Sequence, residues 1–179
     1  MTSAANTTTT KNRKEPTMFL SNESAQAAEF EIHPKGIVKA QCVEVITHNK
    51  KTGEPFAKTV EGVTKNRLIL VFQSEKTTTD PNTGEPIHMV FWDWHNIPQS
   101  LANENGALHK RLSEWEVPIN DYETQSAFEN EVVGRPATLV FSPTVSDKTG
   151  KTYANISSCI AAEEGEPTFQ AVNYKKYND

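Results

Sequence analysis

The sequence predicts a mainly β fold, a small five-stranded barrel with a helical insertion between strands three and four. Three observations predict it. Apolar, β-branched runs recur at 37–48, 65–75 and 87–95 with turn chemistry between them. The apolar spacing then changes to seven, four and three residues at Leu101, Leu108, Leu112 and Trp115, a helical stripe facing a core. Alternation returns over 137–144 and 151–161, on either side of the hairpin turn Asp147-Lys148-Thr149-Gly150.

Each element has its own justification. Residues 1–30 form a flexible N-terminal segment, because a Thr run and scattered polar residues offer too little apolar surface to offset ordering entropy. Met18-Phe19-Leu20 is a candidate anchor within it. His33-Pro34-Lys35-Gly36 is a turn that opens the domain, residues 31–162. The first strand follows, with Val38, Val43, Val45 and Ile46. Asn49 to Pro55 is a turn that begins a long loop, with room for a small hairpin through Phe56 to Val60. Leu68 to Phe72 is an unbroken apolar run, so the second strand is buried on both faces or sits in a closed barrel. Thr83-Gly84-Glu85-Pro86 repeats Thr52-Gly53-Glu54-Pro55, which reads as reused turn chemistry. The third strand carries Met89, Val90, Phe91, Trp92 and Trp94. Asn120-Asp121-Tyr122-Glu123 resembles a capping box, so a second short helix is expected through Phe128 to about Val132, ended by Gly134-Arg135-Pro136. Residues 163–179 are a polar C-terminal tail. Three strands, a helical connection and two strands is the chain order of the oligonucleotide/oligosaccharide-binding (OB) barrel.

Composition narrows the function. The chain has 179 residues, 36% of them hydrophobic, and a formal net charge of −5; its mean hydropathy is −0.60. An acidic chain is not expected to coat duplex DNA by bulk positive charge, but it leaves room for a local cationic groove. The charge is polarised: Gly36 to Lys76 is net +3 and Asn96 to Pro136 is net −4. No stretch approaches the roughly 18 apolar residues of a membrane span, and Met1 to Thr10 lacks an apolar signal core. A cytoplasmic protein with no membrane partner is expected. Cys42 and Cys159 lie in apolar strands. Their spacing does not settle a disulfide, and two reduced, buried thiols are the expectation. His48, His88, His95 and His109 have no metal-ligand spacing, and no phosphate loop, nucleophile elbow or zinc-protease helix is present. Neither a cofactor nor an enzymatic activity is expected.

Single-strand binders need cations for phosphates and aromatic faces for bases. In an OB barrel these come from the face of strands two and three and from the loops after strands one and four. The first loop supplies Lys50, Lys51, Phe56 and Lys58. The second strand supplies Lys65 and Arg67, and the third supplies Trp92 and Trp94, two residues apart and so on one face. The last loop supplies Lys148 and Lys151, with Tyr153 just inside the fifth strand. An indole in an apolar strand is more often core than platform, which weighs against Trp92, and any lone lysine is an ordinary solvated side chain. Clustering is what lifts the group. Trp115, ending an apolar stripe, is expected in the core.

The stretch Leu108-His109-Lys110-Arg111-Leu112 through Trp115, Gly134-Arg135-Pro136-Ala137, and Gly150-Lys151-Thr152-Tyr153-Ala154-Asn155-Ile156 resembles a family of bacteriophage replication and recombination proteins. The resemblance spans roughly residues 34–162. It implies an OB fold and sequence-tolerant binding of single-stranded DNA, with replication or recombination proteins as partners and host cytoplasm as the setting. The tail departs from that of bacterial single-strand-binding proteins, which is acidic with an apolar tip; Lys175, Lys176, Tyr174 and Tyr177 stand here instead. The alternative is an OB-like protein–protein interaction module that recruits a replication or recombination partner without touching DNA, favoured by the acidic helical region. Open strand edges also leave a homodimer as an expected option.

Overall fold

A computed structural model describes residues 36–145, 150 and 152–177. The chain divides into Met1–Phe30 and Glu31–Asp179; the first unit, with the expected flexible segment and anchor, lies outside the described residues. The second is mainly β. Its elements run β1 (Gly36–Ile46), β2 (Ala57–Val60), β3 (Val63–Thr79), β4 (Pro86–Asn96), α1 (Ala107–Glu114), α2 (Gln125–Val132), β5 (Pro136–Val145) and β6 (Thr152–Ala161). The sheet is antiparallel throughout and curls into a half-barrel. β3 pairs with β1, β2 and β4; β1 also pairs with β5, and β5 with β6.

The local reasons are legible. The repeated Thr-Gly-Glu-Pro segments build matching turns. In each, the glycine takes positive φ (Gly53 69°, Gly84 73°), a conformation that a Cβ disfavours. Its N–H donates to the carbonyl four residues back, Asn49 or Asp80, at 2.8 Å. The side chain of that residue accepts from Lys51 N or Asn82 N, also at 2.8 Å. β2 and β3 form a hairpin arm turned by Glu61 and Gly62, both at positive φ, the backbone of a two-residue hairpin loop.

The concave side holds the main core: Val38, Ala40, Leu70, Phe72 and Leu139 from the sheet, with Leu108, Leu112, Trp115, Phe128 and Val132 from the helical region. Trp115 is fully buried; its indole N–H donates to Pro136 O at 2.7 Å and its ring lies 5.3 Å from that of Phe72. α1 is shorter than the leucine stripe because Gly106 stands at its N-cap, and Leu101 reaches the core from the preceding turn. α2 starts later than its sequence signal. Thr124, in extended backbone, is the N-cap and accepts from Ala127 N. Asp121 caps the other turn instead, accepting from Leu101 N at 2.8 Å and from the Ser100 hydroxyl. Cys42 and Cys159 are buried and unbridged. Among the described residues no helix is long and apolar enough to cross a membrane.

One charged cluster is buried with this core. Asp93 and His95 point inward from β4, and Arg111 reaches them from α1. Arg111 Nε and His95 Nε2 lie 2.8 and 2.9 Å from the same Asp93 oxygen. Neither approach has hydrogen-bond geometry, so Arg111 holds the carboxylate by charge and His95 lies beside it. Arg111 Nη2 donates to Ile156 O at 2.9 Å, which ties α1 to β6. Removing the carboxylate leaves the buried guanidinium with only the more distant, largely solvated Glu114 carboxylate, 3.6 Å away, as a charge partner. Asp93→Ala is therefore expected to lose about 3–5 kcal/mol of stability in urea unfolding, and exposed Ser157→Ala under about 1 kcal/mol.

Burial disfavours the thiolate and pushes the Cys42 thiol up to about 12, and the Cys159 thiol up as well. A disulfide-exchange reagent at pH 8 is expected to leave both thiols unreacted in the native protein and to titrate two in denaturant. Rapid native reaction of either would show that the core is open.

Candidate nucleic-acid interface

Because side chains alternate along a strand, the inward course of Asp93 and His95 sends Trp92 and Trp94 to the convex side. Both are exposed, Trp92 by 44% and Trp94 by 38%. Trp92 is therefore no core indole. The cross-strand register places Trp94 opposite Ile69 and Trp92 opposite Val71. The same parity on β3 brings Arg67 and Lys65 to this side, and the hairpin arm brings Lys58 directly opposite Lys65. Like charges directly opposite weaken a strand pair, and an anion laid across them relieves that repulsion.

The aromatic rings form a row. Phe56 meets Trp94 edge-on at 5.2 Å between centroids, Trp94 lies 6.3 Å from Trp92, and Trp92 meets Tyr177 edge-on at 5.6 Å. The Arg67 guanidinium sits over the Trp94 ring, 4.5 Å from its centroid. Phe56 is placed by its backbone: its N–H donates to Thr47 O and its carbonyl accepts from Arg67 N.

The expected residues thus divide. Phe56, Arg67, Trp92 and Trp94 come into one connected group, with Lys58 and Lys65 on the adjoining face of the arm. Lys50 and Lys51 are exposed on the turn that the His48–Pro55 bridge closes, just before Phe56. Tyr153 is 50% exposed on β6, separated from β4 along the sheet by β3, β1 and β5. Lys148 and Lys151 lie outside the described residues.

Tyr177 was not among the expected residues. The C-terminal tail crosses the convex side and closes a second apolar cluster, Val43, Ile46, Ile69 and Val71, with Ala171, Tyr174 and Tyr177. Four side chains of the sheet hold it, the first being Lys39, whose ammonium donates to Pro167 O at 2.9 Å and pairs with Glu166 at 3.2 Å. Gln73 exchanges two hydrogen bonds with Val172, at 2.7 and 2.9 Å. Gln41 Oε1 accepts from Ala171 N at 2.8 Å. Glu44, only 8% exposed, accepts from the Tyr174 hydroxyl at 2.6 Å and from Tyr177 N at 2.8 Å. Burial, and then the Glu44 carboxylate, raises the Tyr174 phenol above its usual range, so it stays a neutral donor at ordinary pH. The signal in the sequence was Glu44 itself: an acid inside an apolar strand requires a partner. Lys175 and Lys176 are exposed between the two anchoring tyrosines.

No protein-family model, curated protein or solved structure matches the chain. Among the described residues no three His, Cys, Asp or Glu side chains are grouped to hold a metal ion.

Glu44→Ala removes both anchors of the tail's end. Trypsin is expected to cleave after Lys175 or Lys176 at least several-fold faster in that variant, with about 1–3 kcal/mol of stability lost in denaturant unfolding. An unchanged cleavage rate would show that Glu44 does not hold the tail.

Proposed function

We propose that this domain is an OB-type barrel that binds single-stranded DNA across the convex side of β3 and β4, without chemistry on the strand. The observation that carries the proposal is the row Phe56–Trp94–Trp92–Tyr177, its two tryptophans exposed and its two ends half-buried, beside Arg67, Lys65 and Lys58. Bases stack on rings whatever their identity, and lysines beside the rings meet the phosphates, so such a surface is sequence-tolerant.

Support for the barrel type comes from the strand path β4-β3-β1-β5-β6 with two short helices between β4 and β5. Leaving the arm strand β2 aside, this is three strands in sequence, the first pairing with the fourth and the fourth with the fifth. Trp92 and Trp94 lie on the third of those strands and Arg67 and Lys65 on the second, the face from which OB barrels take their oligonucleotides. The phage replication or recombination setting, in host cytoplasm, enters the proposal from the sequence resemblance.

The chemistry favours a single strand over a duplex. Stacking needs unpaired base faces, and the three basic groups beside the rings, Arg67, Lys65 and Lys58, are too few to grip a duplex by charge on a chain of net charge −5. Titration with oligo-dT is expected to quench tryptophan fluorescence, with weak duplex binding. Log K should fall with log [salt] by about 0.7 per phosphate met. Lys58→Gln and Lys65→Gln should each reduce that slope by about one contact. Trp92→Ala and Trp94→Ala should each weaken binding by about 1–3 kcal/mol, with phenylalanine at either position retaining most of it. No binding at low salt, or affinity indifferent to both tryptophans, overturns the proposal.

A further inference from the structure

We propose that the cavity at the helical end of the barrel takes one base of the bound strand, turned out of the row beside Trp94, and that it prefers a base carrying an exocyclic amine. The inference rests on the single-strand reading above and adds a specificity element to it. The cavity has a volume of about 400 Å³, within the roughly 300–1,000 Å³ of small-molecule sites.

Its walls separate by chemistry. Val45, Leu68, Leu101, Leu108 and Phe128 are buried and make an apolar floor for a flat ring. Asn66 and Gln99 are exposed lining residues whose side-chain amides make no hydrogen bond among the described residues. Each amide offers two donors and an acceptor, as a base edge requires.

Arg67 joins the cavity to the row. It lines the cavity while its guanidinium stacks on Trp94, and its Nε is buried without a hydrogen-bond partner. A buried N–H of that kind calls for an acceptor, and a ring nitrogen or carbonyl of a base supplies one. A strand that stacks on Trp94 therefore has the cavity as its neighbour at the next position.

Charge decides which part of a nucleotide enters. Asp121 and Glu123 also line the cavity. Two carboxylates disfavour a phosphate inside and leave the neutral base as the group that fits. The same carboxylates accept from an exocyclic amine, which adenine, cytosine and guanine carry and thymine lacks. Asp121 already accepts from Ser100 and Leu101, so it is held in place for that role.

The test compares oligo-dT with the same oligonucleotide holding a single dC, dA or dG, by anisotropy titration, while methyl NMR follows Val45, Leu101 and Leu108. At least one amino-bearing base is expected to tighten binding by about 5-fold or more and to shift those methyls, with all-dT shifting them less. The variant E123L, alone and combined with N66L/Q99L, should bring the ratio towards one, with unfolding midpoints confirming that each folds. If all-dT binds but every single-base oligonucleotide matches it and the methyls stay silent, the pocket is overturned and the binding face stands. If no oligonucleotide binds at all, both fall together.

Discussion

The register of β4 against β3 is the constraint on which the rest depends. A strand repeats every two residues, so a slip of one position exchanges its two faces completely. In Trp92-Asp93-Trp94-His95 that exchange would put two indoles inside and an acid and an imidazole outside. The Asp93–Arg111 contact forbids it, because Arg111 comes from α1 on the concave side and finds its carboxylate only in the observed register. A buried charge pair is a poor source of net stability, and fixing one register among alternatives is its better-attested use. The exposed tryptophans are thus a consequence of polar residues on the opposite face.

The convex side has a second requirement. Val43, Ile46, Ile69 and Val71 are apolar on that side too, and the tail covers them. A tail segment gains little from apolar burial alone against its own ordering entropy. Glu44, Gln41 and Gln73 supply directional anchors, each bonding tail backbone or a tail hydroxyl. Glu44 would be a repulsive carboxylate on a face proposed to meet a polyanion; with Tyr174 and Tyr177 bonded to it, the acid is covered and an aromatic ring stands at Trp92 instead. One arrangement therefore completes the fold and extends the row.

Much of this was legible in the residues. The strand runs, the buried Trp115 and the shared face of Trp92 and Trp94 follow from period and apolarity. The unbroken run Leu68 to Phe72 leaves double burial as one of two options, and its physical cause, a core on one side and the tail on the other, is not contained in the run. Tyr174 and Tyr177 sit in polar sequence with no periodicity, so nothing local marks them as packing residues. Which of two alternating sets faces out was equally hidden, since Trp-Asp-Trp-His alternates whichever way it is turned. The α2 cap moved from the Asn120–Glu123 signal to Thr124 because Asp121 was used by a turn distant in sequence, a tertiary demand that a four-residue pattern does not contain.

Photochemical crosslinking of oligo-dT to the intact protein, with the attached residues identified by mass spectrometry, addresses the central claim most directly. Attachment at Phe56, Trp92, Trp94 or Tyr177, lost when excess unlabelled single strand competes, is the expected result. Attachment confined to β5, β6 or the helices, with the convex side of β3 and β4 unmodified, would contradict it.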